Sequence, residues 1–425
     1  MSKSIATQRF RFGREISAAE VVAKPDEQPS SALKLLIIFL LLMYSSIGVI
    51  YPQTEALRPA MTVALGAIFF TLLEVSKNGT GFRVSWPEGT MVIGLLAVSA
   101  ISTFGSIYVT LAAQTTMNFA KVVIIYIVIE NIITTTARLR TVLMTMVIGG
   151  LIPAFGTIEH YLTHQLNQGR AAFWGVFNNP NEDAYSLVIL VPLAAVLLRR
   201  SGWFTRLVLI GAIAAYVMAT YLTYSRGGII GLIAVVGLFG WRQKSFILKM
   251  TLIAMLAGGV MVIGMFWNRK ADFSDMSDDT TVNQRIATFK AGLEMFRDHP
   301  LFGVGPGDSM VAYPLYVPKD AHCGCQDQLV VHNAFIQVLG ELGALGFLPF
   351  MILIATALYH AWTLQHYDNA ELETYSLGLE LALWGFVVCG LSGGFAWSWF
   401  PYLLIALIAA AKQNMIPERR TTHVA

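Results

Sequence analysis

The chain has 425 residues, of which 55% are hydrophobic and only 13% charged, with a formal net charge of +3. Apolar residues come in blocks of about 18 to 25, the length that crosses a hydrocarbon core as a helix. That excludes a water-soluble enzyme and predicts an all-α polytopic membrane protein, with no case for nucleic acid as a partner; the bilayer is the first partner implied.

In chain order, residues 1–32 are polar and basic, with no short apolar region or small-residue cleavage site, and read as a cytoplasmic tail without a signal peptide. Twelve spans are then expected at about 33–50, 57–75, 90–112, 117–136, 141–159, 184–198, 207–224, 227–241, 250–267, 333–360, 376–392 and 396–411. Nine of them fill 33–267, a long outer loop fills 268–331, three more fill 332–412, and 413–425 form a second cytoplasmic tail. Positive charges retained on the cytoplasmic side set orientation. With both termini inside, 19 of the 29 Lys and Arg fall in inner segments, and only the inner loop around 361–375 has none. No internal repeat of the kind found in many secondary transporters is visible.

The outer face holds the polar chemistry, in segments 160–183 and 268–331. Within the second, Val282, Ile286, Phe289, Leu293 and Phe296 recur at steps of four and three, which predicts an amphipathic helix lying on an apolar surface. Thr281 and Gln284 give it a capping-box start, and it should end near His299-Pro300. Arg285 falls in its first turn, where the helix dipole disfavours a cation, so an anionic partner is expected. Next, His332 stands at the outer mouth of a new membrane helix, where the dipole should keep its ring neutral, the form that a general base needs. Asn333 could orient that ring or cap the helix.

Arg226 follows from the topology. If the seventh span runs outward and the eighth returns, Tyr224 to Gly228 form the outer turn between them. Arg226, Arg285 and His332 then share one face of the membrane. Two guanidiniums match a diphosphate through bidentate hydrogen bonds, and a neutral imidazole can take a proton from a hydroxyl. Such a set suits group transfer from a phosphate-activated donor.

Four pieces in this order resemble the O-antigen ligase and polymerase superfamily of bacterial membrane glycosyltransferases: FNNPNEDAYSLVILVP (177–192), YSRGG (224–228), QRIATFKAGLEMFRDHPLFGVGPG (284–307) and VHNAFIQVLGELGALG (331–346). The resemblance covers roughly residues 170–360 and implies a GT-C-like fold with a large periplasmic loop. It implies a donor glycan on undecaprenyl diphosphate and an acceptor hydroxyl on a lipid A-core sugar or another glycan. It further implies metal-independent, inverting transfer at the periplasmic face of the inner membrane. Arg226 and Arg285 become the diphosphate ligands and His332 the base, with Asn179, Asn181 and Asn333 as active-site scaffold.

No cofactor is expected. The short loop Tyr51 to Ala56 lacks an acidic pair, and Asp272, Asp275, Asp278 and Asp279 read as a solvated acidic loop. Cys323 and Cys325 could bridge only with strain across one residue, and too few ligands surround them for a metal. Cys389 reads as a buried apolar residue in a span. Three alternatives stay open: a polymerase, a protein glycosyltransferase, and, from a different class, a transporter or flippase whose path the arginines would line.

Overall fold

The computed structural model describes residues 30–79, 81–167, 169–243, 245–254, 258, 280–318 and 328–416. It is nearly all helical, and among the described residues the one β-type pairing is an isolated bridge between Asn167 and Arg170. The helices are α1 (Ser31–Ser45), α2 (Ile47–Ile50), α3 (Pro59–Asn78), α4 (Glu88–Phe104), α5 (Val109–Ile132), α6 (Thr136–Leu162), α7 (Pro180–Val188) and α8 (Leu190–Leu198). They continue as α9 (Trp203–Leu222), α10 (Arg226–Trp241), α11 (Thr280–Asp298), α12 (Ser309–Tyr316), α13 (Ala334–Leu364), α14 (Ala370–Gly390) and α15 (Trp399–Met415).

Among the described residues, seven helical stretches are long and apolar enough to cross a membrane: Pro52–Asn78, Val109–Ile132, Thr136–Leu162, Pro180–Leu198, Trp203–Leu222, Ala334–Leu364 and Ala370–Gly390. Ser31–Ser45, Glu88–Phe104 and Arg226–Trp241 are apolar but shorter. The chain is thus a multi-pass membrane protein. Eleven of the twelve predicted spans coincide with helices; the ninth begins in a helical stretch at 246–254, and beyond that only residue 258 of it is among the described residues.

Local sequence explains many of the helix starts. A helix leaves its first N–H groups without partners, and a side-chain oxygen at the cap supplies one. Ser30 accepts from Leu33 N–H, Thr135 from Arg138 N–H, and Asn369 from Glu371 and Leu372 N–H. In lipid, where water cannot substitute, such caps matter more.

Packing divides the helices into wall and centre. In the 59–78 region only 11% of the spanning window is buried, and Leu65, Phe69 and Leu72 face outward, as a lipid-facing helix requires. The windows of α7–α8 and α14 are 78% buried, and every α15 residue from Phe400 to Ala411 is buried. A helix that is apolar on all sides belongs inside a bundle. Where α4, α13 and α15 meet, the fully buried Glu88 accepts from Lys412 Nζ at 3.3 Å and pairs with His360.

One break in the helical ladder shapes the site end. At Gly343, with φ 62° and ψ −162°, α13 leaves helical geometry. The loop after α11 occupies the gap: Val304 N–H donates to Gly340 C=O at 3.0 Å, Gly305 N–H to Glu341 C=O at 3.0 Å, and Ala344 N–H to Pro300 C=O at 2.8 Å. The groups freed by the break are therefore satisfied by protein, the condition for irregular backbone at membrane depth. Glycine is required because a Cβ on Gly343 would lie 2.4 Å from the Leu301 carbonyl carbon, and one on Gly303 2.2 Å from that of Glu341. The same loop is pinned from its other side, where Ile107 N–H donates to Val304 C=O at 2.9 Å and Tyr108 N–H to Asp308 Oδ2 at 2.7 Å.

The loop helix packs on protein through its small residues. α11 begins at Thr280 and ends at Asp298, close to the predicted stop, but its large apolar residues do not pack inward. Ala287, Thr288, Ala291 and Met295 are buried, whereas Ile286, Phe289 and Leu293 are 50, 41 and 39% exposed. Periodicity located the stripe, while the face that packs on protein is a different one: a close helix crossing on α13 at Gly292 and Gly340 selects the small residues. The Thr281 side chain, the Asp272–Asp279 cluster and Cys323–Cys325 lie outside the described residues. Cys389 is buried and free.

Candidate active site

The site end is where α7, α10 and α13 begin and α14 ends. Asn179 caps α7 by accepting from Asn181 N–H at 2.9 Å, and Pro180 occupies the first helical position, where its missing N–H costs nothing. Asn181 Oδ1 then accepts two bonds from outside its helix, from Arg170 Nη2 at 2.7 Å and from Ser225 Oγ at 2.9 Å. Ser225 Oγ itself accepts from Gly228 N–H at 3.2 Å and so caps α10, whose first residue is Arg226. Arg170 Nε donates to Thr223 C=O at 2.8 Å. These bonds staple the start of α7 to the turn that carries Arg226.

The two glycines after Arg226 allow that turn to sit deep in the bundle. A Cβ on Gly227 would lie 2.1 Å from Ser392 Oγ and 2.5 Å from the Tyr185 hydroxyl, and one on Gly228 2.6 Å from Ala184 Cβ. The Tyr185 hydroxyl donates to Ser392 C=O at 3.0 Å, which ties α7 to the end of α14. Asn333 joins the same place: its Oδ1 accepts from Phe335 and Ile336 N–H at 3.0 Å, and its Nδ2 donates to Leu391 C=O at 3.2 Å. Asn333 therefore caps α13 and anchors it to α14.

His332 precedes that cap and is half-buried. It lies two residues ahead of the first helical residue rather than in the first turn, so the dipole explanation of its neutrality is replaced by another. Burial, then the Arg285 charge, push its pKa down to about 4. The ring is neutral at physiological pH, as expected, for reasons that involve the other candidate residue directly. Arg285, in the first two turns of α11, also acts electrostatically on Tyr185. The Arg285 charge thus reaches both His332 and Tyr185, and Arg226 adjoins Gly227, which packs on Ser392 and Tyr185. Asn179 acts on its own helix start, while Asn181 reaches across to Ser225.

Two residues that sequence reasoning passed over belong to this end. Arg170 has no motif around it, and its link to Asn181 is formed across a loop. Glu341 lies inside the quoted VHNAFIQVLGELGALG piece but looks like one polar residue in a span. It is fully buried and accepts from Gly307 N–H at 2.7 Å, Ser309 Oγ at 2.5 Å, Trp397 Nε1 at 2.5 Å and Gln337 Nε2 at 3.3 Å. A buried carboxylate is tolerable when it is hydrogen-bonded this completely, and here it locks the 303–309 loop onto α13.

Among the described residues no group of three or more His, Cys, Asp or Glu is placed to hold a metal. A cavity of about 510 Å³, lined by Arg199, Arg242, Gln243, Gln365, His366 and Glu373 among others, lies at the far ends of α8 and α10. It is not part of this constellation.

Residues 211–351 match the O-antigen ligase family. Over this stretch, about a third of its length, the chain is similar to the O-antigen ligase and polymerase superfamily. The matched region runs from within α9 to within α13 and contains Arg226, Arg285, His332, Asn333 and Glu341; Arg170, Asn179 and Asn181 lie before it. No curated protein matches the chain. For the matched region that family implies glycosyltransferase-like activity in the broad sense, with lipid-linked glycans and glycan acceptors as substrates in general, in lipopolysaccharide or polysaccharide biosynthesis.

Proposed function

We propose that the protein is an O-antigen ligase-type glycosyltransferase that moves a glycan from undecaprenyl diphosphate to a hydroxyl of a lipid A-core sugar at the periplasmic face of the bacterial inner membrane. In this reading the chain crosses the membrane twelve times in a GT-C-like arrangement with both termini cytoplasmic. His332 takes the proton of the acceptor hydroxyl. The acceptor oxygen bonds to the anomeric carbon as the bond from that carbon to the diphosphate breaks, and the electron pair leaves with the diphosphate. Attack opposite the leaving group inverts the anomeric configuration. Arg226 and Arg285 neutralise the charge that develops, which is where preorganised donors contribute most. A lipid diphosphate is already an activated leaving group, so no metal is assigned a role.

The observation that supports this best is a His332 kept neutral by burial and by the Arg285 charge, at the end of the bundle where the Asn181–Ser225 bond holds the turn that carries Arg226. A transporter would use arginines along a path to a midplane site, whereas these residues gather at one end of the helices within a glycosyltransferase family region. A polymerase would use the same groups with a lipid-linked glycan as acceptor. The test is transfer by purified protein with a defined undecaprenyl diphosphate glycan, offered lipid A-core or a second lipid-linked glycan. Product on lipid A-core supports the ligase; product only on the second lipid-linked glycan would make the protein a polymerase; no product with either would overturn the reading.

A further inference from the structure

Three sectors run along α11. The small side is buried against α13: a Cβ on Gly292 would lie 2.6 Å from Ile336 Cγ2, and Met295 Cβ is 3.5 Å from the Cβ position of Gly340. The second sector is the apolar stripe of Ile286, Phe289 and Leu293, at helix-neighbour spacing and 50, 41 and 39% exposed. The third carries exposed Lys290, Glu294 and Arg297. A water-facing loop helix would show polar residues on every side not packed on protein. This one has three sides, of which two are apolar.

The stripe does not end with the helix. Leu301 and Phe302, which follow α11, are 58 and 37% exposed, and Leu301 C=O accepts from Leu345 N–H at 3.2 Å across the break in α13. From there Leu345 and Leu348, 41 and 57% exposed, continue down a helix long and apolar enough to cross the membrane. The stripe and the outward face of α13 are therefore one continuous apolar surface, and the second part of it meets lipid. Lys290 and Arg297 beside the stripe suit the anionic headgroups of the same leaflet.

We propose that α11 is an interfacial helix whose Ile286–Phe289–Leu293 stripe seats in the lipid leaflet on the site side of the membrane. Arg285, one turn before Phe289, is then held at headgroup depth, where a lipid-borne diphosphate lies. The meaning of that depth for the donor rests on the function proposed above; the lipid seat of the stripe does not. An isolated arginine on a mobile loop would have to find the diphosphate, whereas a helix wedged between α13 and the leaflet presents it at a fixed height.

The test is collision accessibility of nitroxide labels on full-length protein in bilayer nanodiscs of phosphatidylethanolamine and phosphatidylglycerol, with Cys323 and Cys325 replaced by serine. Labels are placed singly at Phe289→Cys, Leu293→Cys, Lys290→Cys and Glu294→Cys. Oxygen concentrates in hydrocarbon and a nickel chelate in water. Labels at 289 and 293 should collide more with oxygen and less with nickel than those at 290 and 294. Equal nickel access at all four positions would put the stripe in water and overturn the proposal. Shielding of 289 and 293 from both reagents would put protein over the stripe and overturn it equally. Should a cysteine variant fail to fold, the emission that Phe289→Trp adds to that of the nine native tryptophans, quenched by brominated lipid and not by aqueous iodide, gives the same reading. Neither readout depends on glycan transfer, so a failed transfer assay would leave this result standing.

Discussion

The pH dependence of transfer is where the structure makes its sharpest kinetic claim. An ordinary histidine base with a pKa near 6.5 goes from about 90% neutral at pH 7.5 to about 10% neutral at pH 5.5, so a rate that needs it falls roughly tenfold. His332 is different, because burial and the Arg285 charge lower its pKa to about 4. At pH 5.5 such a ring is still mostly neutral, and kcat/KM, which reports the free enzyme, should fall far less than tenfold over the same range. A diphosphate esterified at both ends carries only strongly acidic protons and does not titrate in this window. Donor binding brings negative charge to Arg285 and offsets its effect on the ring, so the pKa seen in kcat should lie above that in kcat/KM. Stability follows the same sign: the unfolded chain takes up a proton near pH 6.5 that the folded protein refuses until about pH 4, so stability due to His332 is present above pH 6.5 and is lost as pH falls through that window. The assay is initial-rate transfer at subsaturating and saturating donor between pH 4.5 and 8. A tenfold fall in kcat/KM between pH 7.5 and 5.5, tracking one ionisation near 6.5, would refute the burial and Arg285 reasoning.

Three further outcomes are expected. Arg226→Lys and Arg285→Lys keep the charge but lose the guanidinium fork, so both should weaken donor binding and slow transfer in proteins that remain folded; isothermal titration with donor and single-turnover rates measure this. Gly227→Ala places a methyl group 2.1 Å from Ser392 Oγ and should cost about 1–3 kcal/mol as an overpacked contact, visible as a lower unfolding temperature with transfer reduced at the growth temperature. Activity in EDTA should equal activity in magnesium or manganese; loss restored by one divalent ion alone would assign the metal a role after all.

The helical, multi-pass fold was legible because hydrophobic length is a strong signal: the blocks that become α3, α5, α6, α9 and α13 need no tertiary information to be found. The caps Ser225 and Asn333 lie beside residues singled out for chemistry, and the capping role of Asn333 was readable from its type and position. What was not legible depended on a neighbour. The small face of α11 packs inward because Gly340 lets the helices approach closely, and no periodicity in α11 reports that. Arg170 and Glu341 gain their meaning from partners 11 residues and 56 residues away, Asn181 and Trp397. The neutrality of His332 was anticipated from a helix dipole and is produced instead by burial and by Arg285, a residue 47 positions earlier in the chain.

The central claim is that His332 accepts the acceptor proton while the arginines hold the donor. Single-turnover transfer and donor binding measured side by side on folded His332→Ala test it most directly. The proposed mechanism predicts that donor affinity stays near that of the parent protein while the transfer step slows by about 10²–10⁴-fold, the usual contribution of a general base. Transfer at the parental rate in the folded variant would contradict it and leave His332 a packing residue.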